Sequence, residues 1–259
     1  MNNSNSITIR AGQGTLSFLV NKDNTHSFHP YPVKSGMSLS ANLREAFKEE
    51  PFLNQAIEKA TLMVTSPVIL IPKEDFTDST DGSLESIYSY VLTGHKGEAK
   101  IATEIPELEA VAVYAVNKDL QMVVSDNSMD VEIRNIMIPV WKHLYNRYYQ
   151  MGQRRKMFAY FHDKSVDICS FEQRRLRYAN TFDAQHAHDA LYYLLFSWKQ
   201  LGMNQQEDNL FIVGELPHSE WLMTRLKAYL KHVNVINPNA DLNRSALAQI
   251  EGMPFDMML

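Results

Sequence analysis

The second half of this chain contains a complete order of secondary structure, and that order limits the possible folds more than any other feature. Three strand-like runs come first, followed by a long apolar helix, a fourth strand, a second helix and a last strand. In chain order the runs cover 157–162, 165–172, 176–182, about 184–201, 209–214, 219–231 and 233–236. Strands that alternate with helices in this way are typical of an α/β fold.

The first part of the chain follows the same order of strands and helices. Its elements are strands over 7–9, 16–21 and 25–33, a helix over 41–47 and a strand over 60–65. Turn signals, such as Gly12-Gln13-Gly14, separate the strands. The two parts do not match residue by residue, so we interpret them as a repeat of pattern and not of sequence.

A stretch at about 66–137 interrupts the first repeat. It holds an apolar strand-like run over 110–116, a helix over 118–125, and runs over 87–93 and 100–104 that favour a hairpin. Four regions are therefore predicted. They are a first half over 1–153, a small α+β subdomain inserted at about 66–137, a second half over 154–238, and a tail over 239–259 that packs back on the body.

Composition excludes several classes of protein. The chain has 259 residues, of which 45% are apolar, and a formal net charge of −5, which argues against nucleic acid as a default partner. No apolar run approaches the roughly 18 residues of a membrane-spanning helix, and residues 1–6 lack the pattern of a secretion signal. The single cysteine, Cys169, excludes an intramolecular disulfide and is interpreted as a small core residue. These features predict a cytoplasmic protein without a membrane span.

Three stretches carry a resemblance to known families. Residues 110–141, which begin Ala-Val-Ala-Val-Tyr-Ala-Val-Asn-Lys-Asp, resemble the inserted subdomain of bacterial actin-like proteins of cell division and type IV pilus assembly. The phrases at 178–182 and 191–202 resemble an uncharacterised family of Bacteroidetes proteins with an actin-like ATPase fold. The resemblance covers most of the chain. It implies two ribonuclease-H-like halves, the first of which contains the small inserted subdomain.

The resemblance also implies a nucleotide site made from two phosphate-binding hairpins and an adenosine-binding turn. In such a hairpin an acidic residue orders a metal ion, and a glycine lets backbone N–H groups approach the phosphate. We expect the residues at these places to line a cleft between the halves. They are Gly12, Gly14, Thr15, Asp163, Lys164, Ser165, Gly214 and Glu215.

This sequence departs from the family pattern within that site. Tyr160 stands at the place of the acidic residue in the second hairpin, and His162 stands at the place of the glycine. Glu215 replaces the second glycine of the adenosine turn, and the first hairpin lacks an acidic residue, since Asp23 is the first in the chain. The changes predict a degenerate site with no catalytic residue, no metal ligand and no cofactor, with ATP and Mg²⁺ as the alternative.

Three functions are compatible with these observations. The leading hypothesis is a non-catalytic interaction or scaffold protein with an unidentified protein partner, and its oligomeric state stays open. The alternative from another class is a protein that binds or hydrolyses ATP at an unorthodox site in the cleft. A third is an RNA-associated module, which depends on two basic clusters, Arg154-Arg155-Lys156 and Arg174-Arg175 with Arg177.

Two further features are interpreted as structural. His186 and His188 are two positions apart at the start of a helix, so they point in different directions and cannot share a metal ion. Asp183 is interpreted as a cap or first-turn acid of that helix. The helix is apolar nearly all round, which predicts that it is buried between the sheet and another element.

Overall fold

The computed structural model of the protein describes residues 5–23, 25–76, 88, 90–92, 97–149, 152, 154–172, 175–242 and 245–259. Within them the strands are β1 (Ser6–Ala11), β2 (Leu16–Lys22), β3 (Thr25–Tyr31), β4 (Ile57–Val64), β5 (Val68–Pro72), β6 (Ala99–Ile105), β7 (Ala110–Val116), β8 (Ser128–Asn135), β9 (Lys156–His162), β10 (Ser165–Glu172), β11 (Arg175–Asp183), β12 (Asn209–Gly214) and β13 (His232–Val235). The α-helices are α1 (Leu39–Glu49), α2 (Lys118–Ser125), α3 (Met137–Leu144), α4 (Ala187–Gln200), α5 (Ser219–Tyr229) and α6 (Pro238–Asp241). Tyr145–Tyr149 continue α3 as a π-helical turn.

The chain divides into two compact units. The first comprises Met1–Ile105, Val111–Ile138 and Ile250–Met253, and the second comprises Pro106–Ala110, Pro139–Gln249 and Pro254–Leu259. The division into four regions inferred from the sequence remains a prediction. No helix among the described residues is long and apolar enough to cross a membrane.

The first unit contains a five-stranded sheet in the order β3-β2-β1-β4-β8. β1 lies at its centre, antiparallel to β2 and parallel to β4, so that Ile9 is opposite both Phe18 and Leu62. All three side chains are fully buried. α1 follows β3 and begins at Ser38, whose hydroxyl accepts a hydrogen bond from the Ala41 N–H at 3.2 Å.

The second unit contains a five-stranded sheet in the order β11-β10-β9-β12-β13. β9 is antiparallel to β10 and parallel to β12, which places Ala159 opposite Ile168 and Ile212. These residues belong to a core that also includes Leu194 of α4 and Leu226 of α5. The alternation of side chains along a strand directs one set of β9 residues into this core and the other set to the opposite face.

The two sheets have the same strand order and the same set of parallel and antiparallel pairs. In each sheet the first three strands form an antiparallel meander, and the remaining two strands are parallel to the first. The repeat of pattern predicted from the sequence is confirmed. The extra elements of the first unit lie between β4 and α2, where they form a separate three-stranded sheet in the order β5-β7-β6.

The three-stranded sheet has β7 at its centre, and every β7 side chain is buried. Tyr88 packs against it with a fully buried ring, and its hydroxyl donates a hydrogen bond to the Pro67 carbonyl at 2.7 Å. Tyr88, Tyr90 and Val91 are helical. The strand predicted over 87–93 is therefore wrong at these positions, and the rest of that range lies outside the described residues.

One face of α4 is exposed. Ala190, Leu194 and Trp198 face the core, whereas Tyr192 and Phe196 are 61% and 40% exposed and stack on each other with ring centroids 5.9 Å apart. This helix does pack between the sheet and α5, as predicted, but the apolar stripe formed by Tyr192 and Phe196 is exposed and not buried. A helix packed on one face of a sheet buries one side, and the aromatic residues on its other side contact each other.

Candidate functional site

The second predicted phosphate hairpin is a tight two-residue turn. Asp163 and Lys164 connect β9 to β10, and His162 is paired with Ser165 across the turn. Both turn residues have positive φ, 44° and 63°, as a type I′ turn requires. The carbonyl of Lys164 accepts a hydrogen bond from the Ala184 N–H at 2.8 Å, which ties the turn to the end of β11. The turn is therefore fixed by its own strands and by the chain that follows β11.

The His162 side chain, predicted to replace the glycine of an actin-like phosphate hairpin, is held between two carboxylates. Its Nδ1 is 3.1 Å from Oδ2 of Asp163, and its Nε2 is 2.5 Å from Oδ2 of Asp167. The Thr181 hydroxyl donates a hydrogen bond to the other oxygen of Asp167. A neutral imidazole carries one N–H, so hydrogen bonds to both carboxylates require an imidazolium or a protonated carboxyl group. The histidine side chain is only 6% exposed, so these hydrogen bonds lie in a buried environment.

Tyr160, predicted to replace the acidic residue of that hairpin, contacts Phe255 and Asp256 near the C-terminus. Its hydroxyl donates a hydrogen bond to Oδ2 of Asp256 at 2.9 Å, and the Asp256 N–H is 3.4 Å from the same hydroxyl oxygen. The Phe255 ring packs edge-on against Tyr160 at 5.8 Å. Tyr160 and Asp256 are 2% and 1% exposed, so this position of the fold is part of a packed interior.

The predicted adenosine turn, Gly214 and Glu215, lies at the end of β12. Gly214 has φ of +98°, and a Cβ atom there would stand 2.0 Å from the carbonyl oxygen of Phe161. The Glu215 N–H donates a hydrogen bond to that same oxygen at 3.2 Å. Close approach of β9 therefore explains the glycine without any ligand. Glu215 is exposed, and its carboxylate adds negative charge beside the turn.

The three candidate residues of the first hairpin belong to the first unit. The Gly12 N–H donates a hydrogen bond to the Thr15 carbonyl at 2.9 Å, which closes the turn between β1 and β2. Gly14 has φ of +73°, a conformation that favours glycine, and no atom lies within 4 Å of the Cβ position. Both features are those of an ordinary four-residue turn.

The structure brings the second-unit candidates together around the end of β9. Phe161 is paired with Gly214, and the next residue, His162, is paired with Ser165. Sequence reasoning missed Asp167, Thr181 and Asp256. The sequence does indicate that Asp167 has a partner, because a charged residue between Val166 and Ile168 in a buried strand needs one.

Other candidate groups in the sequence are structural. Cys169 is buried, and burial, together with the Asp167 carboxylate, raises the pKa of its thiol well above the usual value. The His188 ring packs against the Trp221 ring in a tilted arrangement, with centroids 4.3 Å apart, and His186 occupies the N-cap of α4 without a side-chain hydrogen bond to the helix. The interpretation of Asp183 as the cap is therefore wrong, since it ends β11. Among the described residues, no group of three or more His, Cys, Asp or Glu side chains could hold a metal ion.

The two matching five-stranded sheets and the inserted elements define a protein of the actin-like ATPase fold. The structure is similar to that of a Bacteroides thetaiotaomicron protein with actin-like ATPase fold and unknown function, with a TM-score of 0.82, 25% identity, and coverage of 96% of this chain and 97% of that one. It is also similar to a structure of the PilM–PilN type IV pilus biogenesis complex, with a TM-score of 0.61, 11% identity, and coverage of 99% and 96%.

A family model described as Protein of unknown function (DUF3822) matches residues 2–233, and this chain belongs to that family. The search of curated proteins finds no significant match. The predicted resemblance to an uncharacterised Bacteroidetes family with an actin-like fold, and to type IV pilus assembly proteins, is confirmed.

Proposed function

We propose that this protein is a non-catalytic interaction or scaffold protein of the cytoplasm, with a degenerate nucleotide site. The observation that carries the proposal concerns Tyr160 and His162, which stand at the two defining positions of the second phosphate hairpin. Both side chains are buried and hydrogen-bonded to carboxylates of the same unit. A phosphate group at this hairpin would have to displace those contacts.

The charges around the hairpin support the same proposal. Asp163, Asp167 and Asp256 bring carboxylates to the residues that replace the family motif, and Glu215 adds another at the neighbouring turn. Two like charges 4 Å apart repel by about 4 kcal/mol at an effective dielectric constant of 20. A nucleoside triphosphate would meet carboxylates that the proton shared with His162 balances only in part, where an active site supplies N–H groups or a cation.

A protein partner is part of the proposal. PilM, which has a similar fold, has been solved in complex with PilN. We propose that this chain likewise acts by binding another protein, through a body divided into halves at 1–153 and 154–238, a subdomain at about 66–137 and a tail at 239–259. The similarity to PilM does not identify the partner of this chain, which has to be found by experiment.

The test is titration of the purified protein with a fluorescent ATP analogue in the presence of Mg²⁺, followed by calorimetry with ATP itself. We expect no saturable binding at micromolar nucleotide and no release of phosphate. Saturable micromolar binding would overturn the proposal in favour of an ATP-binding protein that uses Gly12, Gly14, Thr15 and the second-unit candidates.

A matched pair of variants sharpens the test. Glu215→Gly restores the second glycine of the turn and removes one carboxylate, whereas Glu220→Gly removes an exposed carboxylate from the first turn of α5. Neither variant is expected to bind nucleotide, because the Tyr160 and His162 contacts remain. Micromolar binding by Glu215→Gly alone would show that one carboxylate, and not the packed hairpin, blocks the site.

A further inference from the structure

A cavity of about 460 Å³ opens in the second unit, at the end of β10 remote from the Asp163–Lys164 turn. Three arginines from separate parts of the sequence are among its lining residues. Arg154 and Arg155 precede β9, and Arg177 lies in β11. The two basic clusters noted in the sequence thus contribute to one concave site, while Arg174 lies outside the described residues.

Each guanidinium group is positioned by neighbouring groups. Arg155 contacts Oδ2 of Asp208 at 3.0 Å and donates a hydrogen bond to the Gly202 carbonyl at 2.7 Å. Arg177 contacts Oε1 of Glu172 at 2.9 Å. An arginine has five N–H donors, so one or two such contacts leave donors for a ligand, and a pre-positioned fork loses less entropy on binding.

Arg154 differs from the other two arginines because its neighbour is not an acid. Its NH1 is 3.1 Å from Nε2 of His232. A nitrogen that accepts from a guanidinium does not cancel its charge, so Arg154 keeps its full positive charge at the cavity. This residue is the arginine best suited to meet an anion.

A buried lysine adds positive charge behind the wall of the cavity. Nζ of Lys156 donates hydrogen bonds to the carbonyls of Tyr149, Gly152 and Arg154, at 3.2, 3.3 and 3.0 Å. The ammonium group satisfies its donors on backbone oxygens, and none of these three contacts neutralises its charge. Burial lowers the pKa of Lys156, which is the expected cost of placing a cation there.

The remaining wall is apolar. Phe171, Leu201 and Met203 are buried lining residues, and the rings of Phe171 and Tyr149 lie 5.6 Å apart. A cavity with apolar walls and a few convergent polar groups is the usual form of a site for a small molecule, and such sites measure about 300–1,000 Å³.

We propose that this cavity binds a small organic anion, with its acidic group at Arg154 and Arg177 and its apolar body against Phe171, Leu201 and Met203. The local charge supports an anion, since four cationic side chains and two carboxylates leave an excess of positive charge. The concave shape fits a small ligand, whereas a nucleic acid strand requires a long groove. The site is separate from the hairpin at Asp163 and Lys164.

The experiment uses two dyes that differ in charge. The anionic dye is 8-anilinonaphthalene-1-sulfonate, and the neutral dye is N-phenyl-1-naphthylamine, which has the same aromatic body without the sulfonate. We expect saturable binding of the anionic dye by the full chain, with an affinity at least about tenfold higher than that of the neutral dye. The preference should weaken as salt is raised.

Variants locate the site. Arg154→Gln and Arg177→Gln should each weaken binding of the anionic dye about tenfold, because each removes a charge-assisted hydrogen bond. The matched control is Arg134→Gln in the first unit, where the arginine is also about half exposed and also pairs with a nearby glutamate, Glu132. It should leave binding unchanged. Circular dichroism of each variant separates loss of binding from loss of folding.

Several results would overturn the proposal. Equal affinity for both dyes, or no saturation by either, would show that the cavity is not a binding site for anions. Binding lost in Tyr192→Ser but retained in Arg154→Gln would place the dye on the exposed aromatic stripe of α4. Displacement of the dye by a short oligonucleotide, but not by the corresponding mononucleotide, would assign the arginines to a nucleic acid partner instead of a small anion.

Discussion

The hydroxyl of Tyr160 donates a hydrogen bond of 2.9 Å to the carboxylate of Asp256, although the two residues are 96 positions apart in the chain. Both are almost completely buried. The contact attaches the C-terminal residues to the strand that begins the second sheet. Tyr160 is the residue predicted to replace the acidic residue of an actin-like phosphate hairpin.

Removal of the Tyr160 hydroxyl should destabilise the protein. Tyr160→Phe deletes the donor to a carboxylate that is 1% exposed, and the expected loss of unfolding free energy is about 1–3 kcal/mol. Tyr229→Phe, at a tyrosine that is 51% exposed, is the matched control and should change stability by less than about 0.5 kcal/mol. Urea unfolding followed by circular dichroism measures both. Equal midpoints for the two variants would show that the contact contributes nothing.

Substitution of His162 should reduce the free energy of unfolding more than substitution of a histidine that makes ordinary contacts. His162→Gln removes a side chain that contacts both Asp163 and Asp167, whose side chains are 5% and 10% exposed. We expect a loss of about 2–4 kcal/mol, because two buried carboxylates then lose a shared partner. His186→Gln, at an exposed cap position, should cost less than about 0.5 kcal/mol. If His162→Gln costs no more stability than His186→Gln, the hydrogen bonds of His162 do not stabilise the protein.

Gly214 should tolerate alanine far less well than another glycine of positive φ. In Gly214→Ala the new Cβ meets the Phe161 carbonyl oxygen at 2.0 Å, and the backbone is strained at φ of +98°. We expect a loss of more than about 3 kcal/mol. Gly202→Ala, with φ of +59° and no atom within 4 Å, isolates the backbone strain and should cost about 1–2 kcal/mol. Thermal unfolding of the two variants compares the costs, and similar values would remove the steric explanation.

The acid stability of the second unit should depend on Asp241. Burial acts to raise the pKa of this carboxyl group, but hydrogen bonds from three neighbours hold it below the usual value of 3.8. The neighbours are His143, Tyr148 and Arg147. Since the folded state binds the proton less readily than the unfolded state, the stabilisation is fully present above pH 3.8 and is lost as the pH falls through the folded-state pKa.

Asp241→Asn measures this contribution. The difference in unfolding free energy between the wild type and the variant should shrink as the pH falls below 3.8. The exposed carboxylate of Asp130 supplies the control variant, Asp130→Asn. If the difference for Asp241→Asn does not depend on pH in the acid range, the hydrogen bonds to Asp241 do not hold its pKa down.

Much of the fold was predictable because it depends on near neighbours in sequence. The strand-like runs at 157–162 and 165–172, the polar residues Asp163 and Lys164 between them, and the long apolar run of α4 are local patterns, and each produced the expected element. The helical residues Tyr88, Tyr90 and Val91 were the exception. A short run of aromatic and branched residues fits a helix or a strand equally well, and tertiary packing of Tyr88 selects the helix.

The contacts around the candidate residues could not be predicted from the sequence, and their role as a site stays a prediction. The sequence placed Tyr160, His162 and Glu215 at the altered positions, yet it did not indicate what holds them. Asp256 reaches Tyr160 from the end of the chain. A side-chain contact across such a separation depends on the packing of the whole unit, which no local pattern encodes.

The sequence by itself determined the order of elements and the repeat of that order, and it predicted the loss of the acidic residue and glycines that a nucleotide site needs. These properties are local or countable, so they are visible without coordinates. Only the tertiary structure decided that Tyr160 is sealed by Asp256, that Tyr192 and Phe196 are exposed, and that Arg154 and Arg177 line one cavity. The physical reason is that burial and the convergence of charges arise where distant segments pack, and sequence distance does not determine spatial distance.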